Sequence, residues 1–400
     1  MMLSRKKIIL PIAAALLVLA GAVLLLPVIK PPELGEEIIE KQKIDIDRIL
    51  DERYEQQLGE TGQADPFGDD DIVRILFIGL DSRVGQTAGH CDAIQMIEID
   101  RKKKTVQITA VPRGTYVPLT DKNRPPSDYY VSNSCAIEGL DYGIDQIERI
   151  LGKKADNLVI VGFSEAMGII RHLKLPGPET LRWLRHRQGY AIGEPQRARN
   201  HSTFLKQMLV RFVPKGDSKL DASWQYVIYK MVKTDLSFEE ARLIVSALIE
   251  MNLAAKPEAI TLSMRPAYEV SDIPYDEENL TKYLSTMLDP IKNLLSPDDY
   301  SEMSKQEIES NILKMIDERK DDKEFLEWAY DNQVWLQFED DFRRDGLRYD
   351  LTMRYIGNLA DQEDRVKMIE DYILEMEYMG LGEWAQKGRE DLERVLTASQ

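Results

Sequence analysis

Cysteine is nearly absent: Cys91 and Cys135 are the only two in 400 residues. There is no Cys-x-x-Cys pair, which argues against a thiolate zinc site. Histidine is scarce, and His90, His172, His186 and His201 do not fall in a metal-ligand pattern. They read as surface or phosphate-adjacent residues. Positive charge is in deficit, with 52 Lys and Arg against 69 Asp and Glu and a net charge of −17. A field of that sign disfavours nucleic acid and anionic membrane surfaces as partners of the whole molecule. An anionic ligand would have to be drawn in by a local basic cluster. No internal repeat is present.

One long hydrophobic run stands out. Ile8–Ile29 contains no charged residue and follows the basic segment Met1–Lys7. It is long enough to cross a bilayer, and its basic flank predicts residues 1–7 as a cytoplasmic tail with the bulk of the chain outside. The run therefore reads as an uncleaved signal-anchor, single-pass, at the cell membrane. A cleaved signal peptide is the rival reading; the length of the run and the poor cleavage site Pro27-Val28-Ile29-Lys30 weigh against it. Residues 30–71 read as a stalk and linker: a loosely amphipathic stretch at Glu36–Gln57, then Thr61–Asp71 with Gly, Pro and acids. The globular part is expected from Ile72.

Three short β-branched runs open it, Val73–Gly79, Ile94–Ile99 and Thr105–Val111. Charged residues stand at their ends: Asp81 and Arg83 after the first, Asp92 before the second, Arg113 after the third. Carboxylates and guanidiniums at strand ends suit a metal-and-phosphate site on a rigid sheet, and equally suit ordinary polar loops. Residues 121–130, with Pro125-Pro126, form a loop able to rim such a site. A helix is expected over Leu140–Leu151, ended by Gly152, then a buried strand Leu158–Phe163 and a helix Ser164–Leu173 capped by Ser164. That alternation argues for an α/β sandwich. Ser237 and Glu240 form a capping box before a helix with Ile244, Val245, Leu248 and Ile249 on its buried face. Ile260–Met264 reads as a last strand.

Thr180–Lys206 concentrates Arg182, Arg185, His186, Arg187, Arg197, Arg199 and His201 in an otherwise acidic chain. Arg185 and Arg187 share a side if the segment is extended. Arginine suits bidentate contact with phosphate oxygens; a solvated loop neutralising nearby acids is the alternative. Residues 273–400 carry almost no strand pattern. Val366, Ile369, Ile373 and Met376 fall at helical spacing up to Gly380, and Phe325, Trp328, Trp335, Phe338 and Phe342 make an aromatic stripe that reads as core. This segment is expected to be a separate all-α domain serving interaction or positioning.

The residues Gly79-Leu80-Asp81-Ser82-Arg83, then His90-Cys91-Asp92-Ala93, then Pro112-Arg113-Gly114-Thr115-Tyr116-Val117 resemble, in order and spacing, the opening motifs of the LytR-CpsA-Psr family. Arg185-His186-Arg187 resembles that family's R-x-R, Arg197 its following G-R element with Arg199 as stand-in for the next arginine, Asn133 part of its K-I-N-A-A-Y segment, and Thr234-Asp235-Leu236-Ser237 its T-D-L-S. The resemblance spans about Ile72–Tyr268. It implies an α-β-α sandwich around a central mixed sheet over residues 72–272; the residues themselves predict the one transmembrane helix (8–29) before it and the helices (273–400) after it.

The resemblance further implies transfer of a glycopolymer from a polyprenyl-pyrophosphate carrier to peptidoglycan or another envelope acceptor, with Mg²⁺ or another divalent cation. Carried over, Asp92 is a metal ligand and base, Arg113 a catalytic phosphate ligand, and Arg83, Arg185, Arg187, Arg197, Arg199 and Asn133 phosphate-binding residues. Asp81 is a turn residue or a supporting acid. The chain departs from the family where P-R-D has become Pro112-Arg113-Gly114, removing a second metal-ligand Asp, and where R-S-D-T has become His90-Cys91-Asp92-Ala93. Two alternatives to the transferase therefore stand: a catalytically weakened scaffold that binds polyprenyl phosphates and recruits protein partners through its C-terminal helices, and a polyprenyl-pyrophosphate phosphatase. In an exported domain Cys91 and Cys135, near the two segments expected to meet at the site, are expected to form a disulfide.

Overall fold

The computed structural model describes residues 46–56, 65–81, 89–185, 193–213, 226, 229–280, 282–283, 305–338 and 340–397. The expected cytoplasmic tail and membrane span at 1–29 lie outside the described residues. Among the described residues no helix is long and apolar enough to cross a membrane. The chain divides into two compact units, Met1–Leu220 with Ile228–Glu302, and Asp221–Val227 with Met303–Gln400.

The first unit is built on six strands: β1 (Ile72–Asp81), β2 (His90–Asp100), β3 (Thr105–Ala110), β4 (Asn157–Val161), β5 (Lys233–Thr234) and β6 (Ile260–Met264), in the order β5-β4-β1-β2-β3-β6. The sheet is mixed. β1 runs antiparallel to β2 and parallel to β4, β3 is antiparallel to β2 and parallel to β6, and β5 is antiparallel to β4. From Ile75 to Leu80 both faces of β1 are buried, so that stretch is a continuous apolar run, as expected of a strand covered on two sides. Leu76, Ile78 and Leu80 join one apolar cluster with helices α1 (46–56), α2 (Val131–Ile137) and α3 (Leu140–Leu151). By the two-residue period of a strand, Val73, Ile75 and Phe77 face the other way. There lie α4 (Phe163–His172), against β1, and α6 (Gly193–Phe212), against β2, β3 and β6, with α5 (Gly177–Arg185) against α4 and α6. The unit is the expected sandwich.

Local chemistry explains the element ends. Gly152, in the left-handed region at φ +68°, closes α3 where a side chain would be strained. The Ser237–Glu240 capping box opens α7 (Phe238–Met251). The expected cap at Ser164 is not formed: α4 starts one residue earlier, with Gly162 at the cap position and Ser164 buried inside the first turn.

Two boundaries read from sequence need correction. Residues 46–56 are core rather than stalk, because Ile46, Ile49 and Leu50 are buried in the same cluster as the sheet. The helix is held by charge as well. Arg53 Nε donates to Asp235 Oδ2 at 2.9 Å and Arg53 Nη2 to the Ala155 carbonyl at 2.8 Å. Asp235 Oδ1 in turn accepts from the Leu158 amide at 2.8 Å, so the acid of the T-D-L-S stretch pins α1 to the start of β4. Burial pushes the Asp235 carboxyl above the usual range, against the opposing pull of Arg53. At the other end the unit runs past residue 272. Tyr275 is buried edge-on against Trp183 and Phe204, and its hydroxyl bonds Thr180 Oγ1 at 2.7 Å.

The second unit is helical: α8 (Lys305–Arg319), α9 (Lys323–Asp331), α10 (Asp341–Gly357), α11 (Gln362–Tyr378) and α12 (Gly382–Thr397). Part of its acid content is capping chemistry. Asp322, Asp340 and Asp361 each accept from amides of the first turn that follows. Phe325, Trp328, Trp335 and Phe338 are core, as read, but Phe342 is 73% exposed and leaves the stripe. Ile369, Ile373 and Met376 cluster with Ile356, Tyr372 and Trp384.

Candidate functional site

The sheet register breaks once between β1 and β2. Ala93 stands opposite Gly79 and Cys91 opposite Leu80, which leaves Asp92 as the extra residue of a β-bulge. A bulge re-aims a side chain that regular alternation would send elsewhere. The Asp92 side chain is buried, only 1% exposed, with Oδ1 2.6 Å from Arg113 Nη1. Arg113 keeps 21% of its side chain in solvent, so the pair reaches the surface through the arginine.

Arg113 is positioned by the tight turn after β3. Thr115 returns both its amide (3.0 Å) and its hydroxyl (2.7 Å) to the Pro112 carbonyl. The Ser132 amide donates to the Arg113 carbonyl at 3.1 Å and the Val131 amide to Thr115 at 2.8 Å, tying the turn to the start of α2. The next residue of α2, Asn133, shares its Oδ1 with His90 Nδ1 at 2.9 Å, while its Nδ2 donates to the Ser127 carbonyl at 2.8 Å. Four positions singled out in the sequence thus form two direct pairs, Asp92–Arg113 and His90–Asn133, linked through the Ser132 amide on the Arg113 carbonyl. Cys91 and Cys135 are disulfide-bonded across the same junction, β2 to α2. Gly143 of α3 completes it: a Cβ there would collide with Cys135 Sγ.

The basic cluster divides. Arg197, on α6, is 3% exposed with Nη1 3.7 Å from Glu194 Oε2. Arg185 is the last residue of α5 and is half-buried. Arg199 points away from these: one residue on from Ala198 along the helix, its Nε pairs with Asp272 Oδ1 at 2.5 Å. The position that the motif aligns, Asn200, is fully buried and accepts from Gln196 Nε2 at 2.9 Å. Arg83 and Arg187 lie outside the described residues, as does the side chain of Asp81.

Several residues that organise the site carry no motif. Gln95, three residues beyond Asp92 on β2, donates to the Ala198 carbonyl at 3.2 Å and accepts from Ser202 Oγ at 2.7 Å. That fixes α6 on the sheet one residue from Arg197. His201, expected at the surface or beside a phosphate, is 2% exposed and donates from Nε2 to the Leu184 carbonyl at 2.7 Å, one residue from Arg185. Burial, aided by the cation of Arg197, pulls its pKa down to about 3. The imidazole is therefore a neutral strut between α5 and α6. A buried glutamine on a strand or a buried histidine on a helix gives no sequence signal, because its partners lie far away in the chain.

The model of the LytR_cpsA_psr family matches residues 41–174. Those residues belong to a LytR-CpsA-Psr domain. The match takes in α1 and covers β1 to β4, including the bulge at Asp92, the Arg113 turn and the disulfide. Among curated proteins, a polyisoprenyl-teichoic acid–peptidoglycan teichoic acid transferase, TagU of Bacillus licheniformis, is 24% identical over 100 residues. Those residues are 25% of this chain and 31% of the relative, so the chain spans about a third of that protein's length. Among solved structures, TagV of B. subtilis is 17% identical at a TM-score of 0.38, covering 56% of this chain and 98% of that one. TagT bound to LI-WTA is 14% identical at 0.35, covering 57% and 94%.

Proposed function

We propose that the LytR-CpsA-Psr domain is a phosphotransferase that moves a glycopolymer from a polyprenyl-pyrophosphate carrier to a hydroxyl of the cell wall. The buried Asp92–Arg113 pair at the ends of β2 and β3 carries the reading. It sets a carboxylate beside a solvent-facing guanidinium, with Arg197 on α6 against the sheet and Arg185 at the end of α5, which packs on α6. In the reaction the acceptor oxygen bonds the glycan-bearing phosphorus. The bond from that phosphorus to the bridging oxygen breaks, polyprenyl monophosphate leaves, and the hydroxyl proton passes to Asp92. Arg113, Arg185 and Arg197, with Arg83 and Arg187, hold the phosphate oxygens as charge shifts to the leaving group. Each charge-assisted hydrogen bond contributes about 1.5–3 kcal/mol, enough in sum to draw an anion into an acidic chain. The uncharged run Ile8–Ile29 and its basic flank support a chain anchored in the cell membrane with its bulk outside, where an oxidised Cys91–Cys135 pair is at home.

Mg²⁺ is held by one or two carboxylates, with water and substrate phosphates filling the other positions. Asp92 is the residue that would hold it, although its Oδ1 already lies 2.6 Å from Arg113. Among the described residues no three His, Cys, Asp or Glu side chains gather as a ligand set. When bound, the cation neutralises phosphate charge. Gly114 favours a second reading, a weakened site that binds the lipid phosphate without turnover.

Mass spectrometry of lipid co-purified with the full chain tests the ligand. A polyprenyl phosphate or pyrophosphate is expected on the native protein and lost from Arg113→Ala; its absence from both, each shown folded by circular dichroism, would remove the reading. Gly114→Asp separates the two readings. A Cβ at Gly114 meets no atom within 4 Å, so the side chain has room. Mn²⁺ affinity measured by calorimetry is expected to rise on the order of tenfold, with turnover rising alongside if the site is a thinned transferase. Unchanged affinity would show that a second carboxylate at this turn adds no ligand.

A further inference from the structure

The rim of the site holds an unusual exposed surface. Tyr116 is 68% exposed and Tyr130 41%, and the two face each other across a short antiparallel bridge. Tyr129 stacks on Tyr116 with ring centroids 5.6 Å apart and planes 11° from parallel. The backbone that carries the rings is held by hydrogen bonds. The Val117 amide donates to Tyr129 and the Val131 amide to Thr115, both at 2.8 Å. Thr120 is fastened to Glu138 by its amide (2.8 Å) and hydroxyl (3.0 Å), and Tyr142 OH donates to the Pro118 carbonyl at 2.5 Å. This ribbon also carries Arg113, three residues before Tyr116, and it leads into Asn133, three residues after Tyr130.

Two large aromatic faces kept in water on a rigid ribbon do nothing for the core. They form a preorganised contact surface that loses little side-chain freedom on binding. Around them the chain is polar: Arg124 lies 3.7 Å from Asp121 and 3.5 Å from Asp128. Apolar ring faces edged by hydrogen-bonding groups match a pyranose, which has a C–H face and a hydroxyl rim. A membrane surface fits less well. Val117 and Leu119 turn inward, and Asp121 and Asp128 balance Lys122 and Arg124, so no positive field draws the loop to anionic lipid.

We infer that Tyr116, Tyr129 and Tyr130 form a sugar-binding platform that stacks a pyranose ring of the glycan beside the Arg113 anion site. This rests on the reading of that site as one that handles a phosphate-linked glycopolymer.

The test titrates the full chain with two glycan probes, N,N′,N″-triacetylchitotriose as a wall-type glycan and a short-chain polyprenyl-pyrophosphoryl N-acetylglucosamine, and with phosphatidylglycerol vesicles. Tyr116→Ala/Tyr130→Ala is expected to weaken a glycan probe about tenfold, and Tyr116→Phe/Tyr130→Phe to stay within about twofold because the rings remain. Loss on chitotriose that Arg113→Ala does not share assigns the platform to the acceptor. Loss confined to the pyrophosphoryl probe, shared with Arg113→Ala, assigns it to the transferred sugar. Unchanged affinity for both probes overturns the platform, while continued Arg113-dependent binding of the second probe leaves the anion site standing. If no variant or native chain binds the pyrophosphoryl probe yet ring removal abolishes chitotriose binding, the anion reading fails and the platform remains. A difference between variants seen only with phosphatidylglycerol vesicles overturns the platform in favour of a membrane contact.

Discussion

Asp92→Asn is expected to cut single-turnover transfer by about 10²- to 10⁴-fold, the range for a positioned proton acceptor. Asparagine keeps the shape and removes the charge. Asp92 has 1% of its side chain in solvent and a 2.6 Å contact to Arg113, so the change also leaves a guanidinium facing a neutral amide. Stability is expected to fall by about 3 kcal/mol, the low end for breaking a buried pair, since Arg113 still reaches water. The two effects separate if the rate is taken well below the variant's melting temperature, with folding followed by circular dichroism. A folded Asp92→Asn chain that transfers at the native rate would take Asp92 out of the chemistry and leave it as the anchor of Arg113.

Acid sensitivity is expected to trace in large part to His201. Its pKa is about 3 in the fold against 6.5 for a free imidazole, because burial first, and the Arg197 cation second, exclude the charged form. A histidine with a depressed folded pKa contributes stability that is complete above pH 6.5 and is lost as pH falls toward 3. The loss amounts to about 1.4 kcal/mol per pH unit. His201→Gln can still donate to the Leu184 carbonyl and does not titrate. Urea unfolding from pH 7 to pH 4 is expected to show the variant less stable at pH 7 and the gap closing as acid is added. Parallel curves over that window would mean that His201 gains no charge on unfolding. Because His201 joins α5 to α6 beside Arg185 and Arg197, the same titration is expected to loosen the arginine side of the site before the sheet side.

Much of the architecture could be read along the chain because the signals there are local. β1, β2 and β3 are short β-branched runs, α3 ends at a glycine that must adopt positive φ, and the Ser237–Glu240 box closes on itself within one turn. Motif order likewise brought Asp92, Arg113 and Asn133 into one hypothesis. The tertiary structure decided what depends on partners distant in sequence. The stretch 46–56 looked like a stalk because a short amphipathic helix is the same string whether it is buried or not; burial of Ile46, Ile49 and Leu50 and the Arg53–Asp235 pair made it core. Arg199 lies one position from Asn200, and about 100° of helix rotation turned it to Asp272 and away from Arg197. A bulge is invisible in a strand pattern, since register belongs to the pair of strands and not to either one; here it set Asp92 against Arg113. His201 was a charged-looking residue in a basic cluster, and only the docking of α5 on α6 took it out of water and made it neutral.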